Sequence, residues 1–187
     1  MGRYPIYLKP RDLRSIEIWI KEIEKHQYKM FDLKELSKLN LPYNLIGTGY
    51  HRFVYELPNQ HVLKLAITLR GIKSSSTEAS LYKIIPDSLK NSLAEVKEQG
   101  HGWIIMKKMD NYVPETEENK ETILKLHKEF INYGIKPDDI VDGKERPKWK
   151  NIRLNDKGQI SIIDYGNFSF QNTSGMEEMR NLPRKDK

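Results

Sequence analysis

The sequence contains no cysteine, which excludes disulfides and thiolate metal sites and is compatible with a reducing compartment. It also lacks any run of about 18 consecutive apolar residues. The start, Met1-Gly2-Arg3-Tyr4-Pro5-Ile6, has no apolar core of signal length, so the expectation is a cytoplasmic protein that does not enter a membrane. Internal repeats and low-complexity tracts are missing; the nearest approach is Ser74-Ser75-Ser76-Thr77, read as a flexible lead into a helix with Ser76 or Thr77 as its cap. No nucleic-acid-binding motif is found. What is present is a chain of 187 residues, long enough to bury a core, with a net charge of +6 and a pI near 9.3. That balance favours polyanions in general, but lysines and acids are interspersed as on solvated helix faces. The stretch Lys144 to Lys150, with Arg146, Lys148 and Trp149, is the best candidate for binding phosphate or RNA, and a solvated loop is the preferred reading of it.

The most informative segment is distal. Asn151-Ile152-Arg153-Leu154, a turn Asn155-Asp156-Lys157-Gly158-Gln159, and Ile160-Ser161-Ile162-Ile163-Asp164 read as a β-hairpin, because two short apolar strands flank a turn rich in Asn, Asp and Gly. Folding it back brings Asn151 and Asp164 to one place. An amide oxygen and a carboxylate together suit a hard cation such as Mg2+.

Upstream, Leu45-Ile46-Gly47-Thr48-Gly49-Tyr50-His51-Arg52-Phe53-Val54-Tyr55 reads as strand, glycine turn, strand. A dinucleotide-binding unit would need a helix after the turn, so this order favours a lid over phosphates. The next strand, His61 to Ile67, carries Lys64 inside an otherwise apolar run, which is costly unless the ammonium meets an anion or an acid. Fourteen residues on (78 − 64), Glu78 lies in a segment of helical spacing and is a candidate partner. Gly102 to Asp110 reads as an apolar strand running into a polar connector.

These elements, in this order, resemble the protein-kinase-like superfamily over residues 40 to 170. The glycine turn is similar to the family's G-x-G-x-x-G-x-V, with Arg52 at the third glycine and Val54 at the valine. The resemblance implies an α+β, two-lobed fold: a small antiparallel sheet lobe and a reduced, mainly helical lobe. It implies ATP and Mg2+ as ligands, with Gly47, Thr48, Gly49 and Val54 over the nucleotide, Lys64 on the α- and β-phosphates and Glu78 orienting Lys64. Met106 would set the depth of the adenine pocket, main-chain groups near Lys107 and Met109 would meet the adenine edge, and Asn151 and Asp164 would hold metal.

Two departures qualify the implied activity. Counting back five positions from Asn151, where the family's H-R-D-x-x-x-x-N has its aspartate, gives Arg146, a group that cannot serve as a base. Either the chain is a pseudokinase acting as a regulatory protein-binding module, or Asp138, Asp139 or Asp142 of a lengthened loop supplies the carboxylate. Only 21 residues follow Gly166 (187 − 166), too few for the usual peptide-docking platform, so an acceptor is expected to be a hydroxyl of a small molecule, of the chain itself, or of a partner with its own docking surface. The expected organisation is a helical extension over 1–40, a small lobe and hinge over 41–110, and a reduced lobe with a basic tail over 111–187. Within it, Asp12 to Ile23 reads as a helix with Leu13, Ile16, Ile20 and Ile23 on one face, widened by Ile18 and Trp19, and Glu121 to Tyr133 as the main helix of the larger lobe, with His127 structural. Met176 and Met179 suggest a short helix in the tail.

Overall fold

The structure is a computed structural model and describes residues 6–26 and 39–171 of the chain. The chain divides into two compact units, the first made of the described residues up to Ala79 with Glu95–Lys108, the second of Ser80–Ala94 with the described residues from Met109 onward.

In the first unit, helix α1 (Pro10–Lys25) starts on a proline, whose missing N–H costs nothing in a first turn. It buries Ile16, Trp19, Ile20 and Ile23, one face of a 3.6-residue repeat. Ile18, expected to widen that face, is 65% exposed, since a residue two positions from both Ile16 and Ile20 points away from them. Strands β1 (Asn44–Thr48), β2 (Arg52–Leu57), β3 (His61–Ala66), β4 (Val96–Gly100) and β5 (Trp103–Lys107) form an antiparallel sheet in the order β1-β2-β3-β5-β4. All six residues of the central strand β3 are buried, as its near-continuous apolar sequence requires. The helix and the sheet share one core, in which Ile16, Trp19 and Ile20 meet Phe53, Leu63, Leu65 and Ile105. The Trp19 indole N–H donates to the Ala66 carbonyl at 2.8 Å and so satisfies a polar atom inside that core.

Helix α2 (Leu69–Ile84) begins earlier than the sequence suggests. Ser74 to Thr77 lie inside it, and the capping hydroxyl is that of Thr68, which accepts the Gly71 N–H at 3.1 Å. Ser74 and Ser75 are 6% and 1% exposed; tertiary burial of small side chains overrides their weak helix propensity. The boundary between the units falls within this helix.

The second unit holds α3 (Asp87–Lys90), β6 (Asn111–Tyr112), α4 (Glu117–Asn132), β7 (Ile135–Lys136), β8 (Ile152–Leu154), β9 (Ile160–Ile162) and β10 (Ser169–Phe170). The strands pair as β6-β8-β9 and β10-β7, all antiparallel. The Thr116 hydroxyl accepts the Asn119 N–H at 3.2 Å and caps α4 one turn earlier than expected. Ile123, Leu126 and Phe130 form its buried face, while Ile131 is turned outward. Phe130 meets Phe168 edge to face at 5.4 Å, and the fully buried Tyr165 donates its hydroxyl to the Ala94 carbonyl at 2.9 Å. The architecture is therefore mixed α+β with an antiparallel sheet and few helices. Among the described residues no helix is long and apolar enough to cross a membrane. The expected tail helix with Met176 and Met179 lies outside the described residues.

Candidate functional site

In the first unit the glycine turn joins β1 to β2. Gly47 stands opposite Val54 in the ladder and Thr48 opposite Phe53, and the Gly49 N–H closes the turn onto the Arg52 carbonyl at 2.9 Å. Lys64 sits between Val54 and Ile104 in the neighbouring strands and is 7% exposed. Its ammonium donates to Glu78 Oε1 at 2.9 Å, so the Lys64–Glu78 pairing suggested by order and spacing is present in the structure. Glu78 is fully buried. A third member was not foreseen: the Arg52 guanidinium grips the same carboxylate, Nη1 on Oε2 and Nη2 on Oε1, the latter at 3.3 Å. Arg52 is itself 8% exposed. At the end of β5, Met106 is 1% exposed. Beyond it the Lys107 N–H donates to the Glu95 carbonyl and the Lys108 N–H to the Gln60 carbonyl, which pins the connector to its strand neighbours.

In the second unit the distal hairpin forms as its turn chemistry dictates. Asn155 Oδ1 accepts from the N–H groups of Lys157 and Gln159, both at 3.0 Å, and Gly158 takes the positive φ of +72° that closes the turn. Ile152 pairs with Ile162, and one step further the Ile163 N–H donates to the Asn151 carbonyl at 2.8 Å. This places Asn151 across from Ile163, one residue before Asp164. Asn151 does not belong to the strand; it ends a 3-10 turn, Trp149–Asn151.

The lengthened loop resolves into two parts. Residues 141–147 form a small excursion in which Val141 bridges Pro147, the Asp142 N–H donates to the Arg146 carbonyl at 2.9 Å, and the Lys148 N–H returns to the Ile140 carbonyl at 2.8 Å. The Asp142 carboxylate takes the Arg146 side chain at 2.6 and 2.8 Å and the main-chain N–H groups of Lys144 and Arg146 at 2.8 and 3.0 Å. Hydrogen bonds from the Arg146 side chain and then from these amides hold its pKa down to about 2. Arg146 is thus the partner of Asp142 within the excursion, and Asp138 pairs with Lys136 at 3.0 Å.

Asp139 differs from both. Its Oδ1 accepts from the Lys148 ammonium at 3.2 Å, its Oδ2 from the Asn167 amide at 2.7 Å, and its main-chain carbonyl from the Asn151 amide at 3.1 Å. The Lys148 ammonium also reaches the Asp138 carbonyl at 2.7 Å. Because Lys148 follows Ile140 across the closed neck, the seven residues 141–147 drop out of the spatial register. Asp139 then stands five positions before Asn151 (151 − 139 − 7), in the order Asp139-Ile140-Lys148-Trp149-Lys150-Asn151. The pairing of β7 with β10 ties the chain before Asp138 to the chain after Gly166, which holds Asn167 against Asp139. No spacing rule marks Asn167 in the sequence; only folding brings it to Asp139.

The donor chemistry fits Mg2+. One N–H of the Asn151 amide is spent on the Asp139 carbonyl, its oxygen is an acceptor of the kind Mg2+ takes, and Asp164, the residue after Ile163, carries a carboxylate of that kind. Among the described residues no cluster of three or more His, Cys, Asp or Glu side chains could cage a metal. Magnesium in phosphate sites needs no such cage, since it keeps waters and substrate oxygens and takes one or two protein ligands. His127 on α4 has its pKa lowered by burial, opposed by the nearby charges of Glu145 and Asp138.

No protein-family model matches this sequence, and no curated protein is similar enough to count as a relative. Among solved structures the chain is similar to the Rio2 kinase–ADP/Mg2+–phosphoaspartate complex from Chaetomium thermophilum, with a TM-score of 0.54 and 13% sequence identity over 92% of this chain and 77% of that one. The fold is protein-kinase-like. At that identity the likeness concerns the arrangement of the elements, and each residue's role rests on the local geometry above.

Proposed function

We propose that this kinase-like chain binds ATP with Mg2+ and transfers the γ-phosphoryl group to a hydroxyl, with Asp139 as the acid–base group. The observation that carries the reading is the closed neck at Ile140 and Lys148, which gives Asp139 the register to Asn151 that Arg146 has only by linear count. The ADP and Mg2+ in the Rio2 complex support it at the level of the ligand class.

In this reading Lys64 holds the α- and β-phosphates and Glu78 fixes the direction of Lys64. The turn Gly47-Thr48-Gly49 covers the phosphates, Val54 and Met106 flank the base, and main-chain groups at Lys107 and Met109 meet the adenine edge. Asn151 and Asp164 hold Mg2+, which offsets charge on the phosphates when bound. Asp139 accepts the proton of the acceptor hydroxyl as its oxygen bonds to the γ-phosphorus and the bond to the β-phosphate bridging oxygen breaks, leaving ADP. Lys148 and Asn167 orient the Asp139 carboxylate. The acceptor is a hydroxyl of the chain itself, of a small molecule or of a protein partner, and a cytoplasmic setting supplies the nucleotide.

A second reading, a nucleotide-binding pseudokinase that regulates a partner, is favoured by Pro137-Asp138 standing where the family has His-Arg. A thermal-shift titration with ATP, with and without Mg2+, separates the possibilities when run beside Lys64→Ala and Asp164→Ala and followed by radiolabelled transfer. A metal-dependent shift lost in both variants, together with label transfer, is the expected result. A shift without transfer to protein or solvent favours the pseudokinase, and no shift in the intact chain refutes both readings. Hydroxylamine treatment of labelled protein tells a phosphoester from an acyl phosphate, the latter being the chemistry named in the Rio2 complex.

A further inference from the structure

We infer that Arg52 is a positioning residue that keeps the Lys64–Glu78 pair permanently assembled, so that this chain needs no external event to bring α2 into place. The inference rests on the reading of Lys64 as the phosphate-holding group, and it assigns a task to a residue that replaces a glycine in the family's loop pattern.

The geometry is specific. Lys64 meets Oε1 of Glu78 with an ammonium on a four-carbon stem, and a point donor of that kind does not by itself limit a carboxylate's freedom to turn about its axis. The Arg52 fork engages both oxygens and removes that freedom. All three side chains are buried, Glu78 completely. A buried carboxylate gripped by a planar fork is costly to release, because release strands the charges it pairs.

The same turn is fastened to α2 a second time. The His51 carbonyl accepts the Ile67 N–H at 2.9 Å, and His51 Nδ1 lies 3.1 Å from the Thr68 hydroxyl, which caps the helix. Gly71 packs so closely on the His51 carbonyl that a Cβ there would lie 2.0 Å from the oxygen. Residues His51 and Arg52 therefore hold α2 near Gly71 and again at Glu78, seven residues apart (78 − 71), or about 10 Å along the axis at 1.5 Å per residue. A rigid helix held at two points two turns apart cannot swing its glutamate away from Lys64. In kinases at large, the placement of this helix is a control point. Here the control point is fixed by the loop that covers the phosphates.

The test compares Arg52→Met, which keeps the length and apolar bulk of the side chain, and Arg52→Lys, which restores one donor. Activity is normalised to the ATP-binding fraction, so that partial unfolding is not mistaken for lost positioning. Arg52→Met is expected to lower kcat about tenfold or more while KM for ATP moves less than about threefold, because misplaced phosphates lose rate before they lose binding. Amide exchange in α2 around Glu78 should rise about tenfold in the same variant, and Arg52→Lys should recover most of both effects. Unchanged exchange and kcat in a folded Arg52→Met refute the inference, as does a loss fully accounted for by the unfolded fraction. Failure of the underlying site reading looks different: the intact chain then neither shifts with ATP nor transfers phosphate, while exchange in α2 still decides whether Arg52 holds the helix.

Discussion

The excursion at 141–147 offers a sharp perturbation, because the Val141–Pro147 bridge and the Lys148 N–H on the Ile140 carbonyl close its neck. Replace residues 142–146 by Ser-Asn-Gly-Thr, which keeps a flanking pair beneath Val141 and Pro147 and exchanges the present tip for a two-residue turn. The change deletes Asp142 and Arg146, whose ion pair is exposed, with Arg146 at 69%, and which therefore stabilises the fold little. It also deletes Glu145, whose φ of +56° is a left-handed conformation costing a non-glycine residue about 1 kcal/mol. Asn-Gly adopts such angles readily, so the exchange should at least offset the lost pair. One kcal/mol corresponds to about 2–4 °C for a chain of this size, so the thermal midpoint should stay within about 3 °C of the parent. Affinity for ATP and Mg2+, read by titration, should be unchanged, and label transfer should stay within about threefold, because Asp139, Lys148 and Asn151 remain joined through the neck. A folded replacement that binds ATP as the parent does yet loses transfer by about a hundredfold would refute the reasoning, since the chemistry would then reside in the excursion.

Further predictions follow from the packing. Gly71→Ala places a methyl against the His51 carbonyl, and the resulting overpacking should destabilise the first unit by about 1–3 kcal/mol in denaturant titration; a midpoint equal to the parent's contradicts that contact. Burial pushes the Tyr55 hydroxyl up to about 12, and burial followed by the hydrogen bond and charge of Asp12 raises Tyr43 as well. An acid whose folded pKa is raised gives stability that is complete below its unfolded value near 10 and is lost as pH rises through the folded value. The thermal midpoint should therefore fall between about pH 10 and 12, less steeply in Tyr55→Phe, and equal slopes count against Tyr55 as a source. Asp142 has the opposite sign: its contribution is present above its unfolded value of 3.8 and is lost only as pH falls through about 2. The amide shifts of Lys144 and Arg146 should titrate there, and a midpoint near 4 denies the closed excursion.

Much of the arrangement can be read from the chain because local chemistry and tertiary packing agree. The Asn155 to Gln159 turn dictates its own hydrogen bonds, and with them the approach of Asn151 to the end of β9. Lys64, a lone ammonium in an apolar strand, requires a partner, and helical spacing points to Glu78. Legibility fails where a contact depends on elements distant in sequence. Arg52 reads as a missing glycine, and only folding brings its side chain to Glu78. Linear counting puts Arg146 in the aspartate's place because counting cannot skip a closed loop; the opposite charges of Asp142 and Arg146 around Gly143 were the local sign that this segment folds on itself. The run Ser74 to Thr77 misleads for a different reason, since the weak helix formers Ser74 and Ser75 are held in α2 by burial against neighbours that no local rule reveals.

The central claim is that Asp139 accepts the proton in phosphoryl transfer and Arg146 takes no part. The most direct test is the initial rate of γ-phosphate loss from labelled ATP with Mg2+, to protein and to water, in the intact chain, Asp139→Asn and Arg146→Ala. The account predicts that Asp139→Asn loses about 10²–10⁴-fold with ATP affinity nearly unchanged, while Arg146→Ala stays within about threefold of the parent. Full activity in Asp139→Asn, or a loss confined to Arg146→Ala, contradicts it.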